Sequence, residues 1–155
     1  MDAIKRLVAS EAIRQAKAWY FYGLDHRDWA IWREKVWWPE GRLEVPEAEM
    51  VVEPLDRVIE WVSASVGDQV SVHHGHMPII EFVSDSEAKV IWAMEDRLYR
   101  SPGAPLESGH HYLHGFGHYH ETYTERGGEW RILSSRLTRL RVEATTIAGH
   151  PGGAA

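Results

Sequence analysis

The sequence predicts an α+β domain in which three helices come first and a curved, mostly antiparallel sheet follows. Up to about residue 66, apolar residues recur at steps of three to five, the spacing that gives a helix one apolar face. From residue 70 onward, long stretches rich in β-branched and aromatic residues alternate with turn residues, a pattern typical of strands. The sheet must bury its apolar face, so we expect it to fold over the helices into a cone that encloses a cavity.

Two helices are expected before any strand. The first covers residues 2–22, and a polar corner follows at residues 25–28. Asp28 can cap the second helix, which covers residues 29–37 and ends before Pro39, because the residue preceding a proline disfavours the helical conformation. The chain therefore changes direction near residue 28.

The remaining elements follow in order along the chain. Short strands at residues 42–45 and 50–52 flank a turn, and Pro54 suits the first position of a third helix that ends near residue 66. A longer loop is expected at residues 101–109, which contain two prolines and two glycines. Four long strands complete the prediction, at residues 70–83, 88–99, 110–124 and 130–142.

Length and composition are those of a single domain. We expect residues 1–146 to fold together and residues 147–155 to form a flexible tail. The net charge of −6 would repel a phosphate backbone, so no nucleic-acid partner is expected. The absence of cysteine excludes disulfides and thiolate sites. No apolar run approaches the ~18 residues of a membrane span and the N-terminus has no signal-like region, so we expect no membrane partner and a cytoplasmic location.

The stretch Val70–Phe82, reading VSVHHGHMPIIEF, concentrates chemically active residues. Side chains alternate along a strand, so His73 faces one side of the sheet while His74 and His76 face the other. Three interpretations remain open: His73 is a catalytic base, or His74 and His76 form a cupin-like metal pair with Glu81, or all are ordinary core or surface histidines. The second histidine motif that a cupin needs is missing, so no metal ligands are predicted.

Two glycines on a later strand indicate either a bend in the sheet or space for a ligand. Gly115 and Gly117 share a strand face with Tyr119, and glycines two residues apart leave room either for sharp sheet curvature or for a ligand. The eight Trp, six Tyr and ten His residues suit a deep pocket, a subunit interface or an aromatic core.

An acid and a histidine form the candidate catalytic pair. Asp25 leaves the first helix and His73 lies on the first long strand. A carboxylate beside an imidazole fixes the ring tautomer and favours the protonated ring, so the other ring nitrogen becomes a better base. Contact between these two residues is the expectation on which a catalytic function depends.

The order and spacing of three short motifs resemble the SnoaL-like, or nuclear transport factor 2-like, superfamily over residues 2–145. The closest resemblance is to its group of hexachlorocyclohexane dehydrochlorinase, bile acid 7-alpha-dehydratase and scytalone dehydratase. The motifs are Tyr20-x-x-Gly23-Leu24-Asp25, Trp37-Trp38, and His73-x-Gly75 followed by Ile80-Glu81-Phe82-Val83-Ser84.

The resemblance implies a cone-shaped α+β barrel, often trimeric, that uses an Asp–His dyad for 1,2-elimination without a cofactor. Asp25 and His73 match the dyad. Tyr20 matches a position that is tyrosine in the bile acid dehydratase and lysine in the dehydrochlorinase. Arg136 is similar to an arginine that points into the family's cavity, with Ser135 in contention because the register is uncertain by one residue. The longer loop and the many histidines depart from the dehydrochlorinase, so its substrate cannot be carried over.

On this interpretation His73 removes a proton from carbon, while Tyr20 or Arg136 stabilises the departing oxygen or an enolate. A neutral phenol donates a hydrogen bond to a leaving hydroxide, whereas chloride would benefit more from a fixed positive charge, so dehydration is favoured over dehydrohalogenation. The expected substrate is small, cyclic and largely apolar. The expected apolar wall consists of Leu24, Trp38, Met94, Gly117 and Tyr119.

Other classes of function use the same fold, because fold alone does not decide function. A ketosteroid-isomerase-like isomerase, a non-catalytic small-ligand binder and a module like the small subunit of ring-hydroxylating dioxygenases are the alternatives. The expected partners are a small-molecule substrate and further copies of the chain, as a trimer by preference or a dimer.

Overall fold

The sheet contains six strands in the order β2-β1-β6-β5-β4-β3 within the part of the chain that the structure describes. This computed structural model describes residues 1–100 and 110–146, so the predicted loop at residues 101–109 and tail at residues 147–155 lie outside it. All neighbouring strands are antiparallel except β1 and β6, which are parallel. The strands are β1 Trp37–Val45, β2 Met50–Val52, β3 Val70–Phe82, β4 Glu87–Tyr99, β5 His110–Arg126 and β6 Glu129–Thr146.

Helix α1, Ala3–His26, is longer than predicted and includes the first two residues of the predicted polar corner. The carboxylate of Asp2 caps its first turn by accepting a hydrogen bond from the backbone N–H of Lys5 at 2.9 Å. Gly23 does not end the helix. A Cβ at this position would lie 2.8 Å from the Trp32 ring, so the glycine permits close packing and tertiary contact outweighs its weak helix propensity.

The second predicted helix is shorter than expected. Asp28 caps α2, Trp29–Ile31, by accepting a hydrogen bond from the backbone of Ile31, and a π-helical turn continues to residue 36. Trp37 then enters β1, five residues before the predicted strand. It does so because Trp37 pairs with Ile132 of β6, and a register shift after this pair accommodates the following residues.

The third helix and the four long strands are confirmed, with no end more than four residues from its predicted position. Helix α3, Leu55–Val66, begins one residue after Pro54, which was predicted to be its first residue and is its N-cap instead. The turn between β5 and β6 places Gly127 and Gly128 at φ values of 62° and 92°, a conformation that glycine adopts without strain. The α+β prediction with a curved, mostly antiparallel sheet is thus confirmed, and the sheet remains open rather than closing into a complete barrel.

The core lies between α1 and the concave face of the sheet. Its largest fully buried side chains include Trp32, Trp37, Tyr123 and Ile132, and burial of each large apolar side chain contributes roughly 1.5–3 kcal/mol. Tryptophan and tyrosine therefore fill one end of the cone, while a space remains near the end of α1. Among the described residues, no helix has the length and apolar character needed to cross a membrane.

Candidate active site

A cavity of about 280 Å³ opens beside the end of α1, between α3 and the concave face of the sheet. Most of its wall is aliphatic or aromatic. Its polar side chains include Tyr20, His73, Asp96, Tyr119 and Arg139, with Glu47 also on the wall. The apolar part consists of Leu24, Leu43, Val45, Ala48, Trp61, Val62, Val66, Leu98 and Leu137. Such a mixture suits a small apolar ligand that is oriented by a few polar groups.

Asp25 and His73 are in direct contact at the edge of this cavity. The Nδ1 atom of His73 lies 2.6 Å from Oδ1 of Asp25, and the backbone N–H of His73 donates to Oδ2 at 2.9 Å. The Ser71 hydroxyl donates to Oδ1 at 2.9 Å. His73 is 8% exposed and contributes to the cavity wall. Since Asp25 occupies Nδ1, the remaining ring nitrogen, Nε2, is available to a ligand.

These hydrogen bonds set the charge of the Asp25 carboxyl. Burial by itself would raise the pKa of Asp25. The hydrogen bonds from His73 and Ser71, together with the attraction of the His73 ring, outweigh burial and hold the pKa of Asp25 below its usual value. Asp25 is therefore a carboxylate at neutral pH and can stabilise a protonated His73.

Arg27 holds the dyad in place from behind. It adopts the left-handed conformation at the end of α1, with φ 59°. Its guanidinium donates to the Ser71 hydroxyl at 2.8 Å, to the carbonyl of Leu24 at 2.7 Å and to the carbonyl of Gln69. Arg27 thus joins the end of α1 to the start of β3, and this junction fixes the position of the Asp25 carboxylate.

Asp96 and Arg139 form a second charged pair that was absent from the sequence prediction. Nη1 and Nη2 of Arg139 donate to the two carboxylate oxygens of Asp96 at 2.6 and 2.7 Å. Asp96 Oδ2 also lies 3.9 Å from Nε2 of His73. The sequence did contain one signal for this pair, because Asp96 is an ionisable residue among the inward-facing apolar positions of β4. Its partner Arg139 is 43 residues away in the sequence, so no local pattern connects the two.

Gly115 makes room for this pair. A Cβ at Gly115 would lie 2.2 Å from both Arg139 Nη1 and Asp96 Oδ1. The space left by this glycine is therefore occupied by a salt bridge. At Gly117 a Cβ would lie 2.0 Å from the carbonyl oxygen of Thr138, so that glycine allows the β6 backbone to approach at a register shift. Gly117 does not line the cavity, contrary to its predicted place in the wall.

The predicted position of Arg136 was wrong. Its side chain is on the outer face of the sheet, where Nε lies 3.2 Å from Glu44. Ser135 faces inward but is buried below the cavity, where its hydroxyl donates to Glu121 at 3.0 Å. Because side chains alternate along β6, Leu137 and Arg139 reach the cavity and Arg136 cannot. The arginine of the cavity is therefore Arg139.

Three of the predicted wall and donor residues line the cavity: Tyr20, Leu24 and Tyr119. Trp38 and Met94 do not. The indole of Trp38 donates to the carbonyl of Thr124 at 3.2 Å and stacks under the guanidinium of Arg126, which keeps it outside the cone. Met94 is buried in the core, where its sulfur lies 3.7 Å from Nη1 of Arg139.

A buried cation lies beneath the two cavity tyrosines. Nζ of Lys17 is 3.9 Å from the ring centre of Tyr20 and 3.7 Å from that of Tyr119, and it forms an ion pair with Glu121 at 2.6 Å. Burial lowers the pKa of Lys17 to about 8, against the opposing attraction of Glu121. Burial and the charge of Glu121 raise the pKa of Tyr20, and burial likewise raises that of Tyr119, so both phenols stay protonated.

The histidines considered for a metal site do not assemble one. His74, His76 and Glu81 are exposed on β3, and a register shift after Gly75 interrupts their strand. Among the described residues, no group of three or more histidine, aspartate or glutamate side chains is arranged to hold a metal ion.

Comparison with solved structures places the fold among known relatives. A hexachlorocyclohexane dehydrochlorinase of type 2 superposes with a TM-score of 0.80 at 17% identity, covering 96% of this chain and 95% of the other. A hexachlorocyclohexane dehydrochlorinase of type 3 from Novosphingobium barchaimii gives 0.77 at 20% identity, with 96% of each chain covered. A putative scytalone dehydratase from Novosphingobium aromaticivorans gives 0.77 at 18% identity, covering 99% of this chain and 100% of the other.

The sequence itself carries the family assignment. The sequence profile of the SnoaL-like domain matches residues 5–136, which include α1 with Asp25, the whole of β3 with His73, and β4 with Asp96. This match spans most of the chain and agrees with the cone-shaped fold. The chain therefore belongs to the SnoaL-like domain family.

Proposed function

We propose that this protein is a lyase that catalyses a 1,2-elimination, by preference a dehydration, on a small cyclic and largely apolar substrate. The observation that carries the proposal is the 2.6 Å contact between His73 Nδ1 and Asp25. His73 also lines the largely apolar cavity, and its second ring nitrogen, Nε2, is left for a substrate. Two further findings support the proposal. The chain belongs to the SnoaL-like family, and it shares its fold with a dehydrochlorinase and a putative scytalone dehydratase.

His73 would act as the base toward a β-hydroxy ketone. Nε2 accepts the proton from the carbon beside the carbonyl, and the electrons of the C–H bond form an enolate. Asp25 stabilises the resulting imidazolium through Nδ1. General base catalysis of this kind contributes ~10²–10⁴-fold in rate.

The tyrosines would assist the leaving group. The enolate re-forms its carbonyl as the C–O bond to the β-carbon breaks, and the phenol of Tyr20 protonates the departing hydroxide to water. The proton held by His73 then returns to the Tyr20 phenolate, so the products are an enone and water. Burial and the charge of Glu121 raise the pKa of Tyr20, so the phenol is protonated at neutral pH and its O–H can hydrogen-bond to the departing oxygen.

Arg139 would help to orient the substrate carbonyl near His73, and Asp96 holds the guanidinium of Arg139 in place. In this proposal the protein needs no cofactor and acts as a homo-oligomer, by preference a trimer, in the cytoplasm. The dyad and the tyrosines supply all the proton transfers that the elimination requires.

An isomerase is the second candidate. Tyr20 and Tyr119 face one cavity, with ring centres 5.7 Å apart. Two adjacent phenols could stabilise an enolate without expelling a leaving group. Such a protein would move a double bond and release no water.

The test is a substrate screen with the wild type, Tyr20→Phe and Tyr22→Phe. Tyr22 is on the same helix but exposed, so it controls for loss of a phenol away from the cavity. Cyclic β-hydroxy ketones, unsaturated ketones and chlorinated cyclohexanes are offered separately. We expect hydroxy ketones to turn over and Tyr20→Phe to lower that rate by about tenfold or more, the lower end of general acid assistance.

Three other outcomes would overturn this function. Double-bond migration alone would favour the isomerase. Release of halide only, at a rate unaffected by Tyr20→Phe, would show that Tyr20 is a packing residue. Binding without any turnover would favour a non-catalytic binder, including a module like the small dioxygenase subunit.

A further inference from the structure

We propose that Asp96 is a specificity determinant which closes this cavity to anions, so that its ligands are neutral ring compounds carrying a carbonyl or hydroxyl oxygen. The inference rests on the proposed function insofar as the cavity is taken as the substrate site. It concerns which ligands bind, and it does not depend on which reaction follows.

The charge around the cavity is unfavourable to an anion. Among the cavity-lining residues that the structure describes, Arg139 is the one with a permanent positive charge, whereas Asp96 and Glu47 carry carboxylates. Asp25 adds a further negative charge behind His73. Lys17 does not compensate, because it lies below the cavity and is paired with Glu121 at 2.6 Å. A carboxylate ligand would therefore meet more negative than positive charge.

Asp96 already occupies the carboxylate-binding edge of the Arg139 guanidinium. Both terminal nitrogens donate to Asp96, and the backbone N–H of Arg139 donates to Glu47 at 2.6 Å. A two-pronged guanidinium is the usual carboxylate-binding group in proteins, and here Asp96 occupies that place itself. An incoming carboxylate would have to displace Asp96, whose side chain is only 4% exposed, and leave a buried charge without its partner.

The surrounding sheet leaves space for the Asp96–Arg139 pair. Gly115 leaves the space that Asp96 and Arg139 fill, since a Cβ there would lie 2.2 Å from each. The pair also connects β4 to β6 across β5 at the inner face of the sheet. It is therefore a fixed part of the cavity wall, and substrate oxygen atoms meet an arginine whose charge is largely neutralised.

The experiment compares a neutral ligand with an anion of almost the same shape. Acetophenone and benzoate are titrated into the protein at pH 7 and binding is followed by ligand-observed NMR. The variants are Asp96→Asn, which releases Arg139, and Glu47→Gln, which removes an exposed carboxylate from the cavity wall. Glu95→Gln is the matched control, because Glu95 lies on the outer face of the same strand, where its carboxylate pairs with Arg97 and with His114 of β5.

We expect wild type to bind acetophenone at least about tenfold more tightly than benzoate, and Asp96→Asn to bind benzoate at least about tenfold more tightly than wild type does. Glu47→Gln should strengthen benzoate binding by a smaller factor of about two, as solvent screens an exposed charge. Glu95→Gln should leave the preference unchanged. If Asp96→Asn does not fold, the wild-type preference and the Glu47→Gln shift decide the matter.

The inference is overturned if wild type binds benzoate as well as acetophenone, or if folded Asp96→Asn gains no affinity for benzoate. It is also overturned if neither compound binds at up to about 10 mM. The binding assay needs no turnover, so it separates this inference from the proposed function. A preference for acetophenone in a protein that eliminates nothing would refute the reaction alone.

Discussion

Asp96 Oδ2 lies 3.9 Å from Nε2 of His73, while Asp25 holds Nδ1 of the same ring at 2.6 Å. The imidazole thus lies between two carboxylates that are not equivalent. Asp25 receives its hydrogen bonds from His73 and Ser71, whereas Asp96 is clamped by the guanidinium of Arg139. Asp25 is therefore the carboxylate best placed to stabilise a protonated ring, and Asp96 the one that shapes the ligand's surroundings.

Replacement of the proposed base should remove activity and spare the fold. We expect His73→Ala to lower turnover by ~10²–10⁴-fold, the usual contribution of general base catalysis. Its melting temperature should stay within a few degrees of wild type. The neighbouring His74→Ala, an exposed position on the other face of β3, should change neither quantity. Turnover assays and thermal unfolding measure this, and unfolding of His73→Ala would favour an ordinary core histidine.

Removal of the Asp25 charge should lower turnover less than removal of His73, and its effect should depend on the presence of His73. Asp25→Asn retains a hydrogen-bonding group but no longer stabilises the imidazolium. The rate losses of Asp25→Asn and His73→Ala should therefore be far from additive in the double variant. Additive losses, measured as turnover in all four proteins, would show that the two residues act separately.

Acid should abolish the stability that Asp25 contributes. Its folded-state pKa is below the ordinary value of 3.8, so the contribution is present above that pH and is lost as the pH falls through the folded pKa. We expect the stability difference between wild type and Asp25→Asn to shrink below about pH 4. Urea unfolding at pH 3 and pH 6 measures it. A difference that grows on acidification would contradict the assignment.

Filling the space at Gly115 should disturb the Asp96–Arg139 pair. We expect Gly115→Ala to lower the free energy of unfolding by about 1–3 kcal/mol, as for other overpacked positions. In an Arg139→Met background the same change should cost less, because one of the two obstructing groups has been removed. Denaturant unfolding of the four proteins gives the comparison, and an equal cost in both backgrounds would show that backbone effects dominate.

The buried Lys17–Glu121 pair should respond to loss of one partner. Lys17→Met leaves Glu121 buried and uncompensated, so we expect a loss of ~3–5 kcal/mol in unfolding free energy. The double variant Lys17→Met, Glu121→Leu should recover most of it. Because the folded pKa of Lys17 is lowered to about 8, the folded state releases its proton first and wild-type stability should rise relative to the double variant between pH 8 and 10.5.

Urea unfolding of these proteins across that pH range checks both statements. If Lys17→Met is as stable as wild type, the ion pair contributes nothing to the fold. A fall in the relative stability of wild type above pH 8 would show that the Lys17 pKa is raised instead of lowered.

Local patterns along the sequence were sufficient for the fold class. Helical spacing up to residue 66 and alternation after residue 70 predicted three helices and four long strands, and Asp28 and Pro54 marked two helix starts correctly. The end of α1 and the start of β1 were wrong. Both are decided by Trp32 and Trp37, whose packing against Gly23 and pairing with Ile132 are tertiary contacts that outweigh local propensity.

The sequence by itself determined that Asp25, His73, Tyr20 and Tyr119 are candidates for one site. Only the tertiary structure decided that Arg139, rather than Arg136, reaches the cavity and that Asp96 holds it. The reason is physical. A shift of one residue in a strand moves every side chain to the other face, so the orientation of β6 depends on its register with β1 and β5. The Asp96–Arg139 contact likewise joins residues 43 positions apart, and no local pattern encodes that distance.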